Sequence, residues 1–462
     1  MSEHEYDPQH DPERELDADR ESDESHHETF GDGDGCSLGI DPPPSTLFVF
    51  WPWSEPPSET EIELRLGHQT ERETAPDTED GDVLWVIAFR VPGSQVPSLI
   101  WACAVDELPE VSESCDVHWD DDEWERAQQT RWLLGVETML RSDAPLPDYH
   151  RQLRLCRQIC PDAPAIFDAS SFHLRSGSLV DRMTTTEIPP RSSELFWVHA
   201  IESDDSVSDD ARSCWIHTHG LARAGFPDVE LLGISSSLAR AGCWLSRNFV
   251  DRVLGGDLPP PRTPFDVGHE IQIAWIPCAE AIRGLAPDEL GGAADRDDED
   301  EHDGRRIVLV DARPRGWLRK RWTPPLRVLE RIDRDGAVAS ISHRETERMS
   351  RLARERWPEL GMLFARHGKK SGWTFLVKLG YRIDGGESHQ REHLWFELDE
   401  IVPDRLRGRL LNRPLQVSRL SEDEHCWHEL EMLTDWKIFS PLGEFTPENV
   451  RYVRRSDVGA TD

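Results

Sequence analysis

The residues best suited to hold a metal ion are the two histidines of the segment His217-Thr218-His219. An apolar run that predicts a β-strand ends at this segment, and alternation along a strand places both histidines on one face. Asp228 and Glu230 follow closely and could complete a site of nitrogen and oxygen ligands. The alternative is that the imidazoles hydrogen-bond the backbone around a corner at Gly220. Because no third ligand follows at a recognisable spacing, we expect no metal and no cofactor.

A second candidate surface is the basic segment 305–322, in which two tryptophans lie among the arginines. Interleaved basic and aromatic side chains are typical of proteins that bind single-stranded nucleic acid. The formal charge of the chain is −37, however, which opposes contact with a phosphate backbone. We therefore favour a basic face that docks on acidic parts of the same chain. The candidate partner-binding residues of this segment are Arg305, Arg306, Arg315, Arg319, Lys320 and Arg321.

The sequence patterns of common enzyme classes are missing from the chain. The segment 368–371 (GKKS) lacks the spacing of a phosphate-binding loop. There is also no Gly-x-Ser-x-Gly elbow, no His-Glu-x-x-His pair and no set of kinase motifs. No catalytic residue is predicted, and the sequence leaves open whether the protein is an enzyme.

The candidate residues need strands and helices to position them, and apolar patterning predicts both in each half of the chain. In the N-terminal half, we expect strands at 46–51, 61–66, 83–91, 97–105, 165–169, 195–202, 214–220, 229–235 and 269–275, and helices at 122–140, 149–159 and 236–254. In the C-terminal half, we expect a strand at 307–312, helices at 344–357 and 359–366, and an antiparallel meander from 373 to 439. Since strands and helices do not alternate regularly, the predicted fold class is α+β, with two α+β domains and one helical layer on the C-terminal meander.

The distribution of charge along the 462 residues predicts the domain boundaries. Residues 1–36 contain 14 acidic side chains and 2 arginines with almost no apolar residues, which predicts a disordered acidic tail over 1–44. An N-terminal α+β domain is expected at 45–290, and a flexible acidic linker at 291–304. A basic connecting segment at 305–342 and a C-terminal domain at 343–455 complete the predicted order.

The sequence also carries expectations about the cellular compartment. No apolar run approaches the length of about 18 residues that a membrane span requires. The acidic N-terminus has no apolar stretch, so we expect no secretory signal. The 9 scattered cysteines favour reduced thiols over a disulfide scaffold, and we expect a cytoplasmic protein without membrane association.

Two parts of the chain resemble bacterial families. The segments EHLWFELDEI (392–401), GRLLNRPLQV (408–417) and TDWKIF (434–439), followed by Gly443 and Thr446, resemble the bacterial YegJ-like domain of unknown function over about 343–452. The segment IHTHGLARAGFPDVELLGIS (216–235) is similar to the domain of unknown function that precedes YegJ-like domains in longer proteins. The resemblance implies a bacterial two-domain architecture and no particular activity.

Three hypotheses about function follow from the sequence. The leading one is a non-catalytic interaction protein whose acidic surface binds a basic protein partner, for example a toxin-like effector that it neutralises. The second is a metal-assisted hydrolase centred on His217 and His219. The third is a nucleic-acid-associated regulator that uses the segment 305–322.

Overall fold

The computed structural model of the protein describes residues 42–67, 71–73, 83–90, 96–105, 119, 121–203, 212–256, 258–268, 271–286, 289–296, 305–312, 322–335, 342–386 and 390–452. The strands are β1 (Ser45–Phe50), β2 (Glu71–Glu73), β3 (Val83–Arg90), β4 (Ser98–Ala104), β5 (Trp132–Thr138), β6 (Ala165–Asp168), β7 (His173–Ser176), β8 (Trp197–Glu202), β9 (Ser213–His219), β10 (Asp228–Ser235), β11 (Phe265–Gly268), β12 (Ile271–Pro277), β13 (Arg306–Asp311), β14 (Thr374–Arg382), β15 (Arg391–Val402), β16 (Arg405–Leu410), β17 (His425–Glu429), β18 (Leu433–Ser440) and β19 (Gly443–Phe445). The helices are α1 (Glu59–Leu66), α2 (Asp121–Gln128), α3 (Pro145–Ile159), α4 (Gly177–Thr184), α5 (Ala239–Leu254), α6 (Cys278–Ile282), α7 (Leu326–Asp335), α8 (His343–Glu355) and α9 (Trp357–His367).

The described strands form three sheets, and the predicted α+β fold class is confirmed. Sheet 1 has the order β2-β3-β4-β5-β1-β6-β7, and all its neighbouring strands are antiparallel. Sheet 2 has the order β11-β12-β13-β10-β9-β8, in which β10 and β13 run parallel. Sheet 3 has the order β17-β16-β15-β14-β18-β19 and is antiparallel throughout, as the predicted C-terminal meander requires.

Sheets 1 and 2 pack into one hydrophobic core together with helices α3, α5 and α7. Leu47 of β1, Ile216 of β9 and Phe249 of α5 are all fully buried in this core. The opposite face of sheet 2 has a second, smaller core around Trp215 and Ile276, which α6 covers. Sheet 3 forms its own core against α8 and α9. The predicted histidine pair lies on this second face of sheet 2, and both of its side chains are buried.

The segment Glu61–Leu66 is a helix, so the predicted strand is wrong. Its alternating pattern concealed a helical one, since Ile62 and Leu66 are one turn apart and buried while Leu64 between them is exposed. The hydroxyl of Ser58 accepts a hydrogen bond from the Glu61 backbone N–H and caps the first turn. The N-cap at Ser58 and the burial of residues four positions apart therefore favour a helix, although the apolar residues alternate as in a strand.

The predicted helix over 122–140 is also wrong in its second half. Helix α2 ends at Gln128, and Trp132–Thr138 forms the strand β5 between β4 and β1. Leu134 and Val136 are fully buried on this strand. Apolar residues of a strand that is covered on both faces have no period of two, so the run resembled a helix in the sequence.

The predicted boundary between the halves differs from the structure. Residues 306–311, assigned to a connecting segment, form the strand β13 inside sheet 2. Helix α7 also packs into the core of the N-terminal half through Leu329 and Ile332. The start of the predicted linker is ordered, because the Arg296 guanidinium donates to the Gly291 carbonyl at 2.9 Å. The predicted tail up to residue 41 and the rest of the linker, 297–304, lie outside the described residues.

Two further observations concern the compartment. Within the described ranges, no helix combines the length and apolar character that crossing a bilayer demands. Among the described residues, Cys156, Cys160, Cys214, Cys243, Cys278 and Cys426 are free thiols. Burial raises the pKa of the Cys160 thiol to about 12, so this side chain is an unreactive part of the core.

A three-histidine candidate metal centre

A third histidine joins the predicted pair on the face of sheet 2. Strands β8 and β9 pair antiparallel, and the register places His199 directly opposite His217. His219 lies two residues further along β9, on the same face. The possible ligand atoms of His199, His217 and His219 all lie within 4.8 Å of one another. In the described part of the chain, no other group of three or more histidine, cysteine or acidic side chains meets this criterion.

The three imidazoles form a compact and largely buried cluster. Their ring centroids are 4.8 Å apart for His217 and His219, 5.5 Å for His199 and His217, and 5.3 Å for His199 and His219. His217 is 1% exposed and His219 is 6% exposed, whereas His199 on the edge strand is half-buried. Nitrogen ligands of one tetrahedral zinc ion are about 3.3 Å apart, because Zn–N bonds measure about 2.0–2.1 Å. Small side-chain rotations would therefore bring the three donors to one ion.

Apolar side chains occupy the other positions that β8 and β9 contribute to this face. Trp197 lies opposite His219 on the paired strands, and Ile201 lies opposite Trp215. The Trp215 ring packs on His217 with a centroid distance of 4.3 Å. The two strands thus present six side chains on one face, three imidazoles and three large apolar groups, which we name the histidine lattice. Its members are Trp197, His199, Ile201, Trp215, His217 and His219.

Asp228, one of the two predicted acidic ligands, lies close in the fold but has other partners. Its carboxylate accepts a hydrogen bond from the Thr218 hydroxyl at 2.7 Å and one from the Leu221 backbone N–H at 3.4 Å. The Thr218 hydroxyl in turn accepts from the Val229 backbone N–H. Burial raises the pKa of Asp228 to about 6, although the hydrogen bond from Thr218 works in the opposite direction. Asp228 therefore ties the end of β9 to the start of β10 and is not part of the histidine cluster.

Glu230, the other predicted ligand, is the cross-strand neighbour of His217 but is bound to arginines. The Arg296 guanidinium donates to both carboxylate oxygens of Glu230 at 2.9 and 2.5 Å. Arg306 and the indole N–H of Trp215 donate to the same carboxylate at 3.2 Å each. The carboxylate charge is thus neutralised beside the lattice, and Glu230 holds Trp215 in position.

A glycine corner and a buried ion cluster fix the end of β9. Gly220 has a φ of +106°, and a Cβ at this position would lie 2.7 Å from the Leu195 carbonyl oxygen.

Three residues further on, the fully buried Arg223 donates to both Asp168 carboxylate oxygens at 2.8 and 2.9 Å. It also donates to the Leu195 carbonyl at 2.6 Å. Burial alone would raise the pKa of the Asp168 carboxyl, but Arg223 and Arg175 hold this pKa below its usual range. The ion pair between Arg223 and Asp168 of β6 therefore connects the end of β9 to sheet 1.

His199 is the residue that sequence reasoning missed. Its strand was predicted, and its position between Trp197 and Ile201 was visible in the sequence. What the sequence did not provide was the register between β8 and β9, which are joined by a polar segment that contains 204–211. Without this register, the third ligand could not be placed opposite the predicted pair.

The basic candidate segment is divided between the core and positions outside the described residues. Arg306 is 9% exposed, and its guanidinium is bound to Glu230 inside sheet 2. Arg305 precedes it in a half-buried position. The remaining candidates, Arg315, Arg319, Lys320 and Arg321, lie outside the described residues. At Arg306, the basic charge therefore serves the fold instead of a nucleic-acid surface.

The fold and the site together define an α+β protein with a largely buried three-histidine cluster on one face of a sheet. Three family models match the chain: a protein of unknown function, DUF4026, through its N-terminal domain at 105–190 and its C-terminal domain at 198–310, and an uncharacterised protein conserved in bacteria, DUF2314, at 370–452. Successive segments of the chain thus match both DUF4026 domain models and the DUF2314 model, and the predicted succession of domains of unknown function is confirmed. The family descriptions do not mention the YegJ-like name. No curated protein and no solved structure matches the chain.

Proposed function

We propose that the protein binds a divalent transition-metal ion, with zinc the best-suited ion, through His199, His217 and His219. The observation that carries this proposal is the set of three imidazole donors within 4.8 Å of one another on two paired strands. The sequence-based expectation of no metal depended on the missing third ligand, and His199 supplies it. All three histidines lie within the segment that matches the C-terminal domain of DUF4026.

The donor set favours a reactive metal centre over a purely structural one. Structural zinc sites use four protein ligands, whereas catalytic sites use three and leave one position to water or substrate. Imidazole suits zinc, copper, iron and nickel. Among the described residues, the acidic side chains beside the cluster, Asp228 and Glu230, have partners of their own and do not supply a fourth ligand. This arrangement supports metal-assisted hydrolysis or hydration as the reaction class.

Each part of the site has a separate task in this proposal. A bound zinc ion would lower the pKa of a coordinated water and supply a nucleophile near neutral pH. The pairing of β8 with β9 sets the spacing of the ligands, and the glycine corner at Gly220 fixes where His219 ends its strand. Packing of Trp215 on His217 orients that ring.

The test is the metal content of the full-length protein and of histidine variants. We expect about one zinc per chain after growth with added zinc, and loss of most of it in His199→Gln and His219→Ala. His199→Gln is the more informative variant, because the half-buried edge position tolerates a polar side chain of similar size. His343→Ala is the control, since this exposed histidine begins helix α8. Equal metal content in all variants, or failure of the unmodified chain to bind added zinc, would refute the proposal.

A second role, binding of a basic protein partner in the cytoplasm, is supported by the net charge of −37 alone. Complementary charge accelerates association and favours such partners. This role and the metal centre are separable, because His199→Gln leaves the net charge unchanged. If partner binding weakened with the loss of the metal and not with added salt, the charge-based role would be excluded.

A further inference from the structure

A cavity of about 330 Å³ lies where the two halves of the chain meet. It is lined by α4 and the segment 186–194 from the N-terminal half, and by α8 and the segment 446–451 from the C-terminal half. Across this joint, the Thr186 hydroxyl donates to the Glu355 carboxylate at 2.7 Å. Small-molecule sites occur preferentially at such domain interfaces and have volumes from about 300 Å³ upwards. The cavity is therefore large enough for a small ligand.

The residues that line this cavity carry an excess of positive charge. Five of them are arginines and two are glutamates, which leaves a formal charge of +3. The arginines are Arg182, Arg191, Arg348, Arg356 and Arg451. A guanidinium group stays protonated at any pH that a folded protein tolerates, so this charge is permanent. In a chain whose net charge is −37, the cavity is thus a local region of opposite sign.

Both glutamates of the lining are bound by arginines. Arg191 donates to Glu194 at 2.9 Å, and Arg348 donates to Glu448. Burial alone would raise the pKa of Glu194, but Arg175 and Arg191 lower it to about 2. Glu194 is therefore ionised at neutral pH, and the lowered pKa reflects the positive potential on this side of the cavity.

Arg356 is a buried lining residue with unused donor capacity. It joins α8 to α9 and is 4% exposed. Its Nη1 atom lies 2.8 Å from a Glu355 carboxylate oxygen, yet among the residues that the structure describes none aligns an acceptor with this atom for a hydrogen bond. Glu355 is itself held by the Thr186 hydroxyl. Arg356 is thus fixed in place, and its planar fork of donors matches the oxygens of a carboxylate or phosphate group.

Arg451 supplies a second guanidinium from a separate segment of the chain. Its Nε donates to Glu359 at 2.7 Å, and its side chain is 37% exposed. This contact orients the side chain and uses one of the five N–H donors of the guanidinium group. Two guanidinium groups on one cavity, Arg356 deep in the lining and Arg451 nearer the solvent, suit a ligand with more than one negative charge.

We infer that this cavity binds a small anion that carries at least two negative charges on carboxylate or phosphate oxygens. A dicarboxylate and a phosphate monoester share this chemistry. Charge-assisted hydrogen bonds from guanidinium groups are strong, and a partly buried setting strengthens them further. The site is separate from the three-histidine centre, and the inference does not depend on the proposed metal.

The experiment is calorimetric titration of the full-length protein at low salt and about pH 8, where a phosphate monoester carries close to two charges. Succinate, glycerol 3-phosphate and acetate are titrated separately. We expect one site per chain for the two dianions, and binding of acetate that is about tenfold weaker or more, because acetate carries a single charge. The tighter of the two dianions identifies the natural ligand as a carboxylate or as a phosphate compound.

Arginine variants locate the site. Arg356→Gln should weaken binding of the dianions about tenfold or more, and Arg451→Gln should weaken it severalfold. Arg405→Gln on sheet 3 removes the same charge from a side chain that is 58% exposed, and it should change the affinity by less than about twofold. His199→Gln should also leave the affinity within about twofold, because the histidine centre is a different site.

Each contrary result overturns a stated part of the inference. If neither dianion binds, the cavity is not an anion site. Acetate that binds as tightly as succinate would remove the requirement for two charges. Binding that persists in both Arg356→Gln and Arg451→Gln, or that is lost in His199→Gln, would exclude this cavity as the site. If Arg356→Gln does not fold, as judged by circular dichroism, the exposed Arg451→Gln decides alone.

Discussion

Sheets 2 and 3 both present histidine and tryptophan side chains on one face, but their polar groups have different neighbours. On the outer face of sheet 3, charged groups meet opposite charges: Arg409 contacts Glu397 at 2.5 Å, and Lys437 contacts Glu444 at 2.6 Å. The His425 imidazole also contacts the Asp399 carboxylate at 2.6 Å. In the histidine lattice of sheet 2, three imidazoles lie together beside three large apolar groups. The acidic side chains nearby are bound to arginines and to a threonine hydroxyl.

The difference is that the polar groups named on sheet 3 pair with one another, whereas the three imidazoles of sheet 2 form a set of donors that suits a metal ion. Cross-strand ion pairs satisfy these charges of sheet 3 within the chain, as is usual for a solvated sheet face. Three neighbouring imidazoles do not neutralise one another, and a metal ion between them is a group that all three can bind at once. A tryptophan on a sheet face is therefore uninformative by itself, whereas the chemical type of its polar neighbours is informative.

Removing Arg223 should produce the largest effect, because it breaks the ion cluster that supports the histidine strand. Arg223→Ala leaves the Asp168 carboxylate buried without its bidentate partner, and we expect a loss of about 3–5 kcal/mol of stability. Metal content should fall as well, since Arg223 lies four residues after His219 and holds the end of its strand. Urea unfolding of the full chain and zinc analysis measure the two effects.

The control for this prediction is Arg405→Ala on sheet 3. Arg405 and Glu429 form a pair whose side chains are 58% and 55% exposed, so its loss should cost about 1 kcal/mol or less. Equal losses in Arg223→Ala and Arg405→Ala would contradict the view that the ion cluster behind the lattice is structural.

Gly220→Ala should have the next largest effect. The alanine Cβ would lie 2.7 Å from the Leu195 carbonyl oxygen, in a backbone conformation with φ of +106°. Strain and overpacking together should cost about 2–4 kcal/mol. Gly443→Ala on sheet 3 is a matched control, because its φ is +117° and no atom lies within 4 Å of the position that an alanine Cβ would take.

The control isolates the close approach from the backbone strain. Gly443→Ala should cost only the strain, about 1–2 kcal/mol, and should not affect zinc content. A stability difference near zero between the two variants in urea unfolding would show that the corner at Gly220 is not tightly packed.

The buried His428 of sheet 3 should make the stability depend on pH. Burial lowers the pKa of His428 to about 4 from its usual value of 6.5, and its ring nitrogens contact the Tyr381 hydroxyl and the Cys426 thiol. Between these two values the unfolded chain binds a proton that the folded chain does not bind. This histidine therefore makes the folded state less stable as the pH falls from 6.5 to 4.

Replacing His428 with Gln should flatten this part of the pH profile and cost about 1–3 kcal/mol at neutral pH through the lost hydrogen bonds. Urea midpoints measured at several pH values between neutrality and the lowered pKa test both effects. The exposed His343→Gln serves as the control variant. A variant profile as steep as that of the unmodified chain would assign the pH dependence to other groups.

Much of the fold follows from the sequence because local apolar patterns determine it. Strands β1, β3, β4, β9, β10 and β13 and helices α3, α5 and α8 were predicted close to their observed bounds. The errors fall where tertiary burial overrides local pattern. Strand β5 is covered on both faces, so its sequence shows no alternation of apolar and polar residues. Helix α1 has an alternating sequence, although the residues that it buries are one helical turn apart.

The candidate site was only half predictable for a related reason. His217 and His219 are two residues apart, so strand periodicity alone puts them on one face. His199 is 18 positions before His217, and only the register of β8 against β9 brings the two together. Asp228 and Glu230 were near in sequence, but the arginines and the threonine hydroxyl that bind them come from other strands and turns. Closeness in sequence therefore pointed to Asp228 and Glu230, which lie beside the site, whereas the pairing of β8 with β9 determines that His199 belongs to it.

The smallest effect is expected from the exposed pair of Lys437 and Glu444 on sheet 3. Their side chains are 35% and 42% exposed, so water and salt screen the contact of 2.6 Å. Lys437→Met keeps most of the aliphatic stem and removes the charge, and we expect a stability change of about 0.5 kcal/mol that disappears near 1 M NaCl. The measurement is urea unfolding at low and high salt, with zinc analysis in parallel. Zinc content should be unchanged, because sheet 3 contributes no ligand to the proposed centre. A large loss that persists at high salt would mean that sheet 3 depends on this pair for more than surface charge, and the contrast between the two sheet faces would then have to be abandoned.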